Sequence, residues 1–98
     1  MTNTYAILRR GAWDTADELK QAAESSAREG DRMIEQVSWI RSYVLAEPDG
    51  SLGTICIYEA STPEAIRKHA ERAGLPVDEI IALADVVVVR PDPVALAA

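Results

Sequence analysis

Phenylalanine is absent from this chain, and cysteine and histidine occur once each. The single thiol, Cys56, closes no internal disulfide, and with no CxxC pair and one imidazole the chain lacks the ligand spacing of a zinc-type site. Basic residues are also few: 10 Lys and Arg stand against 16 Asp and Glu, for a formal net charge of -6. That balance supplies no basic footprint for a phosphate backbone, so nucleic acid is not an expected partner. No run approaches the roughly 20 apolar residues of a membrane-crossing helix, and no leader-like apolar stretch opens the chain. A cytoplasmic protein without a membrane partner is the expectation.

What is present suits one folded unit. The chain has 98 residues, 48% apolar and 27% charged, the size of a single domain spanning 1–98. A core this small holds with a narrow margin, and pairing with a second copy widens it. Residues 91–98, rich in Pro and Ala, read as a loose or partner-docked tail.

The run Trp39–Pro76 carries most of the pattern. Val37–Ala46 and Thr54–Ala60 are rich in β-branched and aromatic residues and predict two strands. Pro48-Asp49-Gly50 between them is turn chemistry. Thr62-Pro63 starts a helix with proline at a position that sacrifices no hydrogen bond; Ile66, Ala70 and Ala73 form its buried stripe, and Gly74 ends it. Upstream, Thr4–Arg9 predicts a strand broken by Gly11. Thr15 with Glu18 forms a capping box for a helix that runs to Gly30. Its inner face, Leu19, Ala22, Ala23, Ser26 and Ala27, is made of small residues. Downstream, Leu75–Glu79 is a turn, and Ile80–Arg90, with four consecutive valines, predicts a last strand apolar enough for a sheet interior. The order βαββαβ is the α+β, ferredoxin-like split arrangement.

Two helices cover one sheet face. Strand alternation places Trp39, Arg41 and Tyr43 on one side of the second strand and Ile40, Ser42 and Val44 on the other. The aliphatic set suits the helix-covered core, so Trp39, Arg41 and Tyr43 form a candidate ligand-binding surface on the uncovered face. Burying that face against another copy gives a dimeric α+β barrel. A three-residue turn pairs Glu47 with Ser51 and sets Ile55, Ile57 and Glu59 beside Tyr43, Arg41 and Trp39. A four-residue turn sets Cys56 and Tyr58 there instead. Turn chemistry favours the first register and core composition the second.

The candidate catalytic residues are Tyr43, Tyr58, Glu59 and His69. Phenol and guanidinium groups donate to developing negative charge, which brings Tyr43, Tyr58 and Arg41 forward for a carbonyl or enolate substrate; cross-strand packing is the plainer reading. Glu59 sits at a strand end suited to a catalytic carboxylate, or pairs with Arg67 or Lys68 at the surface. His69 alone has an unperturbed pKa near neutrality. It is the candidate metal ligand, although Ala65 and Ala73 supply no helical chelate partner; a half-buried histidine bonded to a carbonyl is the plainer role. Cys56 reads as an inert buried thiol.

The motifs CIYEA (Cys56–Ala60) and IRKHAERAGLP (Ile66–Pro76), with SYV and DG before them, resemble a family of short bacterial ferredoxin-like proteins of the actinomycete nickel-binding type. The resemblance spans Tyr5–Arg90. It implies a homodimer and nickel as a possible ligand, with Tyr43, Cys56, Tyr58, Glu59 and His69 at recurrent positions. No organic cofactor is implied. The leading expectation is therefore a small dimeric ligand-binding protein. The alternatives are a cofactor-independent cyclase or isomerase acting on a small hydrophobic ligand in the barrel, and an interaction module without chemistry.

Overall fold

A computed structural model describes residues 3–93. The elements are β1 (Asn3–Trp13), α1 (Ala16–Arg32), β2 (Val37–Ala46), β3 (Leu52–Ala60), α2 (Pro63–Ala73) and β4 (Glu79–Ala82). The strands form one antiparallel sheet in the order β2-β3-β1-β4. Both helices lie on one side, an α+β arrangement compatible with the ferredoxin-like fold.

Local chemistry sets three of the four helix ends as expected; the exception is that α1 runs through Gly30 to Arg32 and is capped at Met33, whose amide donates to the Glu29 and Gly30 carbonyls. Thr15 accepts from the Glu18 amide while the Glu18 carboxylate accepts from the Thr15 amide, the reciprocal capping box. Thr62 caps α2 by accepting from the Ala65 amide, and Gly74 closes it at φ 72°. The helices seat unequally. Helix α2 buries Ala65, Ile66, His69, Ala70 and Ala73, whereas α1 buries only Ser26. Apart from Leu19, the α1 face is built from alanine and serine, side chains too short to fill the space down to the sheet, and Ala27, expected on that face, is exposed. The core accordingly gathers under α2, where Ile7, Val37, Tyr58, Ala60 and Ile66 are all at most 1% exposed.

Three further expectations change. Gly11, at φ 53°, does not break β1; the strand continues to Trp13 with an irregularity between Arg9 and Trp13. The last strand is not Ile80–Arg90: only Glu79–Ala82 pairs, and Val86–Val89 are 61–85% exposed. β4 runs antiparallel toward the start of β1, with the Leu83 amide donating to the Thr4 carbonyl. After Leu83 the chain leaves the ladder and is held at the far edge of the sheet, where Arg41 and Tyr43 bind Asp92.

The third change concerns β2. Next to the turn, the first register holds, with Tyr43 opposite Ile55 and Arg41 opposite Ile57. Beyond Arg41, one extra residue, Ile40, forms a bulge, and Trp39 then pairs with Tyr58. Trp39 is thereby turned to the helix side, away from Arg41 and Tyr43. Ile40 and Val44, expected in the core, are 49% and 55% exposed. Val44 does share the helix side, but it lies on the outer strand where α1 gives little cover.

At the turn end, the Glu47 carboxylate accepts from Arg10 Nε (2.9 Å) and Nη2 (2.7 Å) and from the Gly11 amide (2.7 Å). The Arg10 hydrogen bonds are the main reason its pKa lies below the ordinary 4.5, with the Gly11 amide adding to the effect. Asp49, bonded to the Ser51 hydroxyl and amide, is lowered from 3.8 in the same way. A carboxylate whose folded pKa is depressed stabilises the fold above its unfolded value and loses that contribution as pH falls through the folded one. Thermal melts are therefore expected to decline below about pH 4.5, and Glu47→Gln to flatten that decline. An unchanged acid limb in the variant would exclude Glu47 as a contributor.

Candidate functional site

The four candidate catalytic side chains do not share a site. Tyr58 and His69 are on the helix side, with rings 5.5 Å apart. Tyr43 and Glu59 are in the opposite strand phase and project from the helix-free face, where Glu59 is exposed. Neither tyrosine is thus joined with Glu59 and His69 in one catalytic group. The ligand-binding trio is divided as well. Trp39 stacks on Tyr58 at a centroid distance of 6.2 Å and an interplanar angle of 7°, and its Nε1 donates to Ser42 Oγ at 2.8 Å.

Arg41 and Tyr43 do converge, and their partner comes from the chain's far end. Arg41 Nη1 and the Tyr43 hydroxyl both donate to Asp92 Oδ2 at 2.8 Å. The segment after β4 therefore travels from one edge of the sheet to the other. Of the expected loose tail, residues 91–93 are placed by this contact, and 94–98 lie outside the described residues. The Arg41–Asp92 pair is half-exposed at both ends, so it orients the segment more than it stabilises the fold.

His69 is fully enclosed, at 0% exposure. Its Nε2 lies 2.9 Å from the Ser26 carbonyl, and its Nδ1 is buried without a partner among the described residues. The carbonyl requires the proton on Nε2. The ring thus ties α2 to the one buried residue of α1. Among the described residues no three His, Cys, Asp or Glu side chains are grouped to hold a metal. The donor set around His69 does not fit a nickel ion, which favours several imidazole or thiolate donors.

A cavity of about 200 Å³ opens between α1 and the sheet. Leu19, Ala22 and Ala23 form its helix wall; Trp39, Ser42, Val44, Thr54, Cys56, Tyr58 and Arg9 line the sheet side. Burial raises the Tyr58 phenol above its ordinary 10.0, with the Ser26 hydrogen bond (3.0 Å) opposing, so the neutral phenol prevails at physiological pH. The Cys56 thiol is buried as expected. Its sulfur accepts from Ser42 Oγ (3.0 Å) and Arg9 Nη1 (3.3 Å) and donates to Thr54 Oγ1 (3.4 Å).

Arg9 was not among the candidate residues. It is 1% exposed, in strand phase with Tyr5 and Ile7. That phase is visible in Tyr5-x-Ile7-x-Arg9 and marks an inward-pointing arginine.

Comparison with known proteins adds a family. The family described as nickel responsive protein SCO4226-like matches residues 5–83. The crystal structure of SCO4226 from Streptomyces coelicolor A3(2) is similar at a TM-score of 0.65 and 29% identity, covering 86% of this chain and 99% of that one. No curated protein matches.

Proposed function

The chain belongs to the SCO4226-like family of nickel responsive proteins, and from that footing we propose that it is a homodimeric ligand-binding protein whose helix-free sheet faces meet. The observation that carries this is the exposed apolar surface on that side. Tyr43 and Ile81 are 42% and 43% exposed, Ile55 and Ile57 are half-buried beside them, and Val86–Val89 reach 85% exposure. Large apolar side chains left exposed in this number suit an interface better than a solvated surface. A second copy is the fitting occupant because the feature is self-complementary. Each copy offers the ten-residue outer edge of β2 and a β-branched run engaged in no ladder, so a two-fold axis lets each supply what the other lacks.

Light scattering after gel filtration tests the assembly. The wild type is expected at twice the chain's 10.7 kDa, and Val87→Asp with Val89→Asp at the monomer mass with unchanged far-UV circular dichroism. A monomeric wild type would overturn the proposal.

Nickel enters as a candidate ligand of the assembled protein, without a resident site on His69. Calorimetric titration with nickel is expected to give superimposable isotherms for wild type and His69→Gln, because the imidazole is enclosed and already engaged. A loss of affinity confined to the variant would restore His69 as a ligand.

A further inference from the structure

We propose that the cavity beneath α1 binds a small amphipathic organic monoanion, with its acidic group on Arg9 and its apolar body along Leu19, Ala22, Ala23 and Trp39. The argument begins with an uncompensated charge. Arg9 is 1% exposed, yet no carboxylate among the described residues pairs with it. Its Nε donates to the Pro76 carbonyl at 2.7 Å and its Nη1 to the Cys56 sulfur at 3.3 Å, both neutral acceptors, while Nη2 has no partner. A guanidinium so enclosed is expensive to bury, and a bound anion offsets that cost more effectively than a neutral ligand.

The cavity around Arg9 narrows the ligand class. At about 200 Å³ it has room for the equivalent of about seven waters at their liquid volume, below the range of drug-sized sites. Its walls are mainly apolar, so a strongly hydrated ion such as sulfate gains little from them, whereas a short hydrocarbon or ring does. One cation without a counter-charge suits one negative charge on the ligand. Thr54 Oγ1 accepts from Cys56, leaving its own proton to donate to a second oxygen. Entry is from the β2 side, where Val44 and Trp39 remain 55% and 36% exposed and the small face of α1 leaves a gap.

Hexanoate is a suitable probe, with 1-hexanol as its uncharged counterpart. Trp13 and Trp39, the only two tryptophans in the chain, both line the cavity, so intrinsic fluorescence reports occupancy directly. Hexanoate is expected to change the emission saturably, with 1-hexanol binding about tenfold or more weakly for want of the charge-assisted hydrogen bond. Arg9→Gln should abolish the preference for hexanoate. Ala23→Leu, which fills the cavity and leaves Arg9 in place, should weaken both probes. Equal affinity of the two probes, undiminished hexanoate binding in a folded Arg9→Gln, or no saturable change in the wild type would overturn the proposal. If circular dichroism shows Arg9→Gln unfolded, the probe comparison and Ala23→Leu decide alone. These outcomes hold for one copy or two, so failure here is separable from failure of the dimer.

Discussion

His69→Ala will lower the free energy of unfolding by about 3 kcal/mol, near the bottom of the range for emptying a buried aromatic site. The ring is fully enclosed, 5.5 Å from Tyr58 and bonded to the Ser26 carbonyl. Its loss opens a void and severs a tie between the helices in a molecule where α1 has few anchors. The other evident tie, Ser25 Oγ donating to the Ala73 carbonyl at 3.0 Å, lies nearer the solvent. Against a total stability of about 5–15 kcal/mol, the change is large. His69→Gln, whose side-chain amide can donate to the same carbonyl, should recover about 1 kcal/mol of it. Urea denaturation of the three proteins measures both effects. A shift below about 1 kcal/mol in His69→Ala, the worth of an ordinary hydrogen bond, would show that the ring does not brace the helices.

Gly53→Ala will cost about 2 kcal/mol, within the usual range for overpacking. A Cβ at this position would stand 2.5 Å from the Arg9 carbonyl oxygen, 2.9 Å from Glu47 Oε2 and 3.2 Å from the Gly11 amide nitrogen. Two of those atoms belong to the backbone of β1 and cannot swing aside. The methyl therefore forces β3 away from β1 or expels the Glu47 carboxylate from Arg10 and Gly11. For a chain of this length the melting temperature should fall by roughly 8–16 °C. Combined with Glu47→Gln, the substitution should cost less than the sum of the two separately, because both act on one cluster. Strict additivity in that cycle would place the damage in the strand pairing alone.

The regular parts of the fold were legible because short-range chemistry determines them. The Thr15/Glu18 box, the Thr62-Pro63 start, the Gly74 stop and the Pro48-Asp49-Gly50 turn each act within a few residues. The bulge at Ile40 was not legible, since the turn register and the aliphatic count give opposite answers and the strand satisfies each over part of its length. Nor was the fate of Val86–Val89. A run of valines signals strand, yet a strand needs a neighbour, and among the described residues none pairs with them. Of the candidate site residues, sequence alternation correctly joined Arg41 and Tyr43 and misplaced Trp39. The buried position of Arg9 was readable from strand phase. The Asp92 contact, 49 residues from Tyr43, has no local signal.

Residues 41–43 of β2 serve both faces of the sheet. Ser42 reaches down to Cys56 and Trp39 at the cavity, while Arg41 and Tyr43 on either side hold Asp92 on the opposite surface. If filling the cavity shifts this tripeptide, it also shifts the anchor of the segment carrying the exposed valines. Linkage then makes the traffic two-way: whatever factor a bound anion adds to association of the copies, association must return to the anion's affinity.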